Sequence, residues 1–234
     1  MTPQPTGKAA GRRLPSGERR LAIVKAVLDL AAERGPDAVT TQAIAGRVGV
    51  TQGALFRHFP DKEAIWLAVF DWIRAALGAA ADAAIDDTAS PLANLERVFR
   101  AHVGLVAAHR GVPRALYHEL QTVGASPVRA AVRAMVRHYR RRLLRLFEQA
   151  KAAGELPPDL DASLATVLFI GAVQGLVIQS ALAGGEASLR RNARPMFALL
   201  LGGYRGTGAH GAPRHAARAH RRCGRRRVDD VGLG

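Results

Sequence analysis

The chain has 234 residues, enough for one large helical domain or a small head on a larger body. Lys and Arg number 34 against 19 Asp and Glu, a formal net charge of +15 that favours polyanionic partners such as nucleic acid. A GC-rich coding bias toward Ala, Arg and Gly would produce the same excess, so charge alone does not define the partner. The only cysteine, Cys223, excludes an intramolecular disulfide and points to a reducing, cytoplasmic setting.

Residues 1–16 carry Pro and Gly without apolar periodicity and are expected to form a disordered arm. The first apolar stretch, residues 21–32, is broken by Lys25 and Asp29, which argues against an export signal. It reads as a helix from Ser16, its expected N-cap, with Leu21, Val24, Val27/Leu28 and Ala31 at helical spacing, Arg19 and Arg20 projecting outward, and Gly35-Pro36 as its end. Thr41 is expected to cap a short helix that Gly49 interrupts, and Thr51 a second one reaching about His58. Asp61 caps a long helix holding Ile65, Trp66, Val69, Phe70 and Ile73. Ser90-Pro91 opens the next, which Gly111 is expected to end, and Val112-Pro113 opens one to about Val123. Ser126-Pro127 opens a long helix with an apolar stripe through Val128, Val132, Met135, Tyr139, Leu143, Leu146 and Ala150, and arginines on its other face.

Asp161 caps an apolar helix over 162–183, read as a buried bundle helix in preference to a membrane span because it carries Ser163, Thr166, Gln174, Gln179 and Ser180 and lacks basic anchors at both ends. A last helix reaches about Tyr204. It starts at Asn192, with Pro195 in its first turn, or it runs from Ser188 with a kink. The tail 206–234 has seven arginines and two aspartates, net +5, and is expected to be disordered. No strand pattern of useful length appears, so the fold class is all-α.

The segment 41–58 carries the chemistry. Two short helices packed at a steep angle need a small residue where they touch, supplied by Ala45. They need a glycine for the turn, Gly49, and apolar residues facing the shared core, Ile44, Val48, Val50 and Leu55. A hydroxyl must start the second helix, and Thr51 supplies it. Together these features define a helix-turn-helix.

Residues 20–66 resemble the N-terminal DNA-binding domain of the TetR family. The matching string runs through Ile23-Val-Lys-Ala-Val-Leu-Asp-Leu-Ala-Ala-Glu-Arg-Gly35, Thr40-Thr-Gln-Ala-Ile-Ala, Gly49-Val and Gly53-Ala-Leu-Phe-Arg-His-Phe-Pro-Asp-Lys-Glu63. The resemblance implies a head over 17–60 and a ligand-binding and dimerisation body over 61–205. By it, Thr41 would meet a phosphate, and Thr51, Gln52, Gly53 and Ala54 would face base edges in the major groove. Gln52 is the best base reader, because its amide can bond adenine bidentately. His58 and Lys62 would contact phosphates. This chain has Phe56 where the family commonly has tyrosine, which removes a hydroxyl contact. Arg57 or the basic residues Lys8, Arg12, Arg13, Arg19 and Arg20 would compensate.

The same resemblance implies a homodimer on a palindromic operator, since one recognition helix covers few base pairs. The expected interface residues are Leu168, Gly171, Gly175, Ile178, Met196, Leu199 and Leu200. Expected pocket residues are Trp66, Phe70, Phe99, His102, Tyr117, His118, Gln121, Met135 and Tyr139, suited to a hydrophobic or amphipathic small molecule that releases the operator. No G-x-S-x-G, H-E-x-x-H or phosphate-loop motif occurs, and His102, His109, His118 and His138 lack metal-site spacing. A non-enzymatic regulator, a repressor by family habit, with no cofactor, no metal and no membrane partner, is therefore expected. The alternative is a basic architectural protein that binds DNA without reading its sequence.

Overall fold

Nine α-helices and one short 3₁₀ turn, with no strand, make up the described residues of the computed structural model, 15–183 and 185–206. The helices are α1 (Ser16–Arg34), α2 (Thr41–Val48), α3 (Gln52–Phe56), α4 (Lys62–Ala84), α5 (Pro91–Ala108), α6 (Gly111–Gln121), α7 (Pro127–Ala152), α8 (Ala162–Ala183) and α9 (Gly185–Gly206), with the 3₁₀ turn at Pro36–Ala38. The all-α expectation holds. The arm 1–14, with Lys8, Arg12 and Arg13, and the tail from 207, with Cys223, lie outside the described residues.

Short polar side chains start most of these helices by accepting an otherwise unpaired backbone N–H. Thr51 Oγ1 accepts from Ala54 N at 3.2 Å, Asp61 Oδ1 from Ala64 N at 2.7 Å, Ser90 Oγ from Ala93 N at 3.3 Å, and Ser126 Oγ from Arg129 N at 3.0 Å. Asp161 Oδ1 serves α8 twice, accepting from Ser163 N and Leu164 N at 2.8 and 3.0 Å.

Two caps differ from the sequence expectation. Pro15, without a side-chain bond, precedes α1 where Ser16 was expected to cap, and Ser16 is itself the first helical residue. Thr40, not Thr41, caps α2, its hydroxyl accepting from Ala43 N at 3.1 Å. The two threonines are equivalent as local caps; the buried Val39 fixes the frame and leaves the Thr41 hydroxyl for a tertiary contact.

Gly111 does not end α5 but opens α6, because α6 crosses α1 so closely that a Cβ there would sit 2.0 Å from the Leu28 carbonyl oxygen. Pro195 lies inside a continuous α9. The buried stripe Leu189, Ala193, Phe197, Leu200 and Tyr204 extends to both sides of it, so packing outweighs the missing hydrogen bond, and Asn192 donates within the helix to Ser188 Oγ instead of capping.

Two apolar clusters organise the chain. One joins α1, α2 and α3 to the first turns of α4, to α6 and to the start of α7, through residues such as Ile23, Val27, Ile44, Leu55, Phe59, Val69, Val112 and Val132. The other fills the body between α4, α5, α7, α8 and α9, around Leu95, Phe99, Leu143, Phe147, Phe169 and Phe197. Its aromatic rings meet edge-on, Phe99 on Phe169 at 5.1 Å and Phe147 on Tyr204 at 5.4 Å.

Candidate nucleic-acid interface and ligand cleft

The turn between α2 and α3 is built by Gly49 at φ 72°, where a side chain would be strained. Beyond it Val50 N donates to Ala45 O at 2.9 Å. Ile44, Ala45 and Leu55 are buried as the helix-turn-helix requires; Val48 is half-buried against the same cluster, and Val50 is half-buried outside it. With Leu55 and Phe59 anchored, α3 can roll only one way. Thr51, Gln52, Gly53, Phe56 and Arg57 are exposed, Ala54 and His58 half-buried, and Lys62 exposed at the start of α4.

Two contacts order this face. Gln52 Nε2 donates to Thr41 Oγ1 at 2.6 Å, joining the two residues expected to meet base and phosphate. Arg20 does not project freely. Its guanidinium donates to the His58 carbonyl oxygen and lies 4.1 Å from the centre of the Phe59 ring, fastening the end of α3 to α1. Sequence reasoning placed Arg20 among the compensating DNA contacts and missed this use, which depends on where α1 crosses α3. Arg47 binds the Glu33 carboxylate at 2.9 Å across the α1–α2 crossing, and this hydrogen bond holds the Glu33 pKa below its ordinary value.

The nine expected pocket residues are dispersed. Phe70 and Met135 are buried in the cluster beneath α1, with Trp66 packed alongside. Phe99 is in the body core. His102 Nδ1 and the Tyr139 hydroxyl are hydrogen-bonded at 3.1 Å, their rings edge-on; burial lowers the His102 pKa to about 4 and raises that of Tyr139. His118 Nδ1 lies 3.6 Å from Asp37 Oδ1, and Gln121 is exposed at the end of α6.

Only Tyr117 of the nine lines the cleft of about 410 Å³ bounded by the end of α1, the α5–α6 junction, and the facing ends of α8 and α9. Its other walls include Val106, Arg110, Arg114, Val177, Ile178 and Leu189. Neither arginine was singled out from sequence; their four-residue spacing around Pro113 was the available signal.

The expected interface residues divide similarly. Leu164, Leu168, Gly171, Gly175, Ile178 and Leu182 recur along one side of α8, and Leu164, Leu168, Ile178 and Leu182 are exposed. On α9, Leu199 is 74% exposed and Met196 half-buried, whereas Leu200 is buried in the body core, 100° around the helix from Leu199. By length and composition alone α4 and α8 could each span a membrane.

A glycine-turned helix pair with an exposed, capped recognition helix, mounted on a larger helical body, defines the class of helix-turn-helix DNA-binding regulators. The family model "Bacterial regulatory proteins, tetR family" matches residues 23–69, and the model "Tetracyclin repressor-like, C-terminal domain" matches 122–196. The chain is 26% identical over 189 residues to the HTH-type transcriptional repressor KstR2 of Mycobacterium tuberculosis, covering 79% of this chain and 92% of that one. Its fold matches the fatty acid degradation regulator FadR of Bacillus halodurans (TM-score 0.72, 21% identity, 83% and 98% of the two chains). It also matches the FadR of Bacillus subtilis, solved in complex with stearoyl-CoA (TM-score 0.68, 21% identity, 78% and 98%). The chain belongs to the TetR family of bacterial transcriptional regulators.

Proposed function

We propose that this regulator is a homodimeric, cytoplasmic repressor that reads a palindromic operator with Gln52 and is released by a small hydrophobic or amphipathic molecule. The head is taken as 17–60 and the body as 61–205. The observation that carries the DNA reading is the Gln52–Thr41 hydrogen bond on an otherwise open face, which holds the amide in one orientation before DNA arrives. A pre-oriented amide loses less side-chain entropy on binding adenine. In this reading Thr41, His58 and Lys62 meet phosphates, and Thr51, Gly53, Ala54, Phe56 and Arg57 lie against the groove.

The exposed stripe on α8, with Leu199 and Met196 on α9, is the proposed dimer face; an apolar strip of this length on a water-soluble chain calls for a partner. Release follows from the way α6 rests on α1 at Gly111, so a molecule that displaces α6 moves the head with it. The stearoyl-CoA bound by the Bacillus subtilis protein supports an amphipathic effector for this chain.

The test is selection of bound fragments from random duplex DNA by the full chain. A palindromic consensus whose binding weakens at least tenfold with Gln52→Ala supports the reading. Recovery of unrelated fragments, with affinity that collapses with salt, would refute it in favour of sequence-blind binding.

A further inference from the structure

The cleft at the α5–α6 junction combines an apolar floor with a rim that carries two arginines outside any described ion pair. Val106, Ala107 and Leu189 are buried beneath it, Val177 extends the floor along α8, and the exposed Ile178 and Leu182 line its outer edge, where the cleft meets the proposed dimer face. Arg110 and Arg114 stand on the rim one turn apart, both exposed. Among the described residues neither is in an ion pair. The one carboxylate lining the cleft, Glu186, is already bound by Arg190 Nε at 3.0 Å. Arg114 reaches the uncharged Ala31 carbonyl oxygen at 3.5 Å, and the Arg110 guanidinium lies beside Gly185. The Tyr117 hydroxyl, also on the wall, has no described hydrogen-bond partner and can donate.

The volume, about 410 Å³, lies within the roughly 300–1,000 Å³ of small-molecule sites. Two guanidiniums with planar forks match a carboxylate or phosphate oxygen pair, and an aliphatic floor matches a hydrocarbon chain. A neutral hydrophobic molecule would fill the floor and leave both cations with nothing but water.

We infer that this cleft is the effector site, that the effector is an anionic amphipath, and that Arg110 and Arg114 select its head group while the α8 and α9 ends hold its tail. The inference rests on the ligand-gated reading above but adds the charge class of the ligand, the location of its site and the residues that discriminate it. It also places the ligand against Ala32 of α1 as well as α6, so occupancy bears on the head directly.

The test uses the full chain with decanoate, decyl phosphate and decanol at neutral pH. Calorimetry reads binding, and fluorescence anisotropy reads release of a selected operator. The variants are the double Arg110→Gln/Arg114→Gln, a cleft-filling Ala181→Trp on the exposed side of α8, and Arg133→Gln/Arg137→Gln on α7 as a control for net charge. The expected result is binding of at least one anion roughly tenfold or more tighter than decanol, with that preference lost in the Arg110/Arg114 double variant and kept in the α7 control. Ala181→Trp should abolish binding of all three. The better anion identifies the head as carboxylate or phosphate. Decanol binding as tightly as both anions, or an anion preference that survives loss of both arginines, would overturn the head-group claim. Release of the operator undiminished in Ala181→Trp would overturn the location, with ligand gating intact. Failure of all three probes to bind would overturn the amphipath assignment, whereas failure of operator selection itself is the separate failure of the parent reading.

Discussion

Gly111→Ala probes the close α6–α1 contact on which the proposed communication between body and head depends. A Cβ built at this position meets Leu28 O, C and Cα at 2.0, 2.7 and 2.9 Å, where ordinary contacts begin at 3.4 Å. All three are backbone atoms of α1, so no rotamer change can relieve the overlap, and α6 must retreat by roughly 1.4 Å from a close-packed helix. Overpacking of this kind costs about 1–3 kcal/mol, and the severity of the shortest contact puts this case at the upper end. The better helix propensity of alanine returns at most ~1 kcal/mol, less at a first-turn position. The net loss of about 2 kcal/mol corresponds to a fall in Tm of roughly 4–8 °C for a chain of this size. Thermal unfolding of wild type and variant at equal protein concentration measures it. Gly53→Ala is the control, because a Cβ there meets nothing within 4 Å, and its Tm should equal or slightly exceed wild type. Were Gly111→Ala to melt at or above the wild-type temperature, α6 would not be held against α1 as described, and the route from cleft to head would fail with it.

Three other perturbations have defined outcomes. Thr41→Val removes the acceptor that orients Gln52 and should weaken operator binding about three- to tenfold with little change in Tm, because the pair is exposed; unchanged affinity by anisotropy would show that the amide needs no pre-orientation. Leu168→Glu with Leu199→Glu places charge on the exposed stripe and should convert the proposed dimer to monomer by sedimentation velocity, whereas substitution of Leu200, buried in the body core, should instead affect folding. Stability should depend on His102: its pKa falls from the ordinary 6.5 to about 4 in the folded chain, so the unfolded state binds more protons between those values. Stability is then complete above pH 6.5 and declines as pH falls toward 4, by up to about 3 kcal/mol, and denaturant titrations of His102→Asn should show a flatter slope across that window.

Much of the architecture is legible from local patterns. Helices were readable because their apolar stripes and Ser, Thr or Asp starts encode them within a few residues, as at Thr51, Asp61, Ser90, Ser126 and Asp161. The helix-turn-helix was readable because its requirements, from Ala45 and Gly49 to Thr51, fall within eighteen residues. Local reading failed where distant segments decide. Thr40 and Thr41 are interchangeable as caps until Val39 is buried. Pro195 looks like a helix start until Leu189 and Phe197 are seen on one buried stripe. Gly111 resembles a helix end until α1 is placed against it.

The sequence by itself determined that the chain is all-α and where its helix-turn-helix lies, since both follow from spacings shorter than one helical hairpin. Tertiary structure alone decided which arginines are free. Arg20 is spent on the end of α3, while Arg110 and Arg114 face a cleft without a carboxylate partner. The physical reason is that an ion pair or a cation over a ring acts across space, and an arginine's identity does not record which element will pack against it.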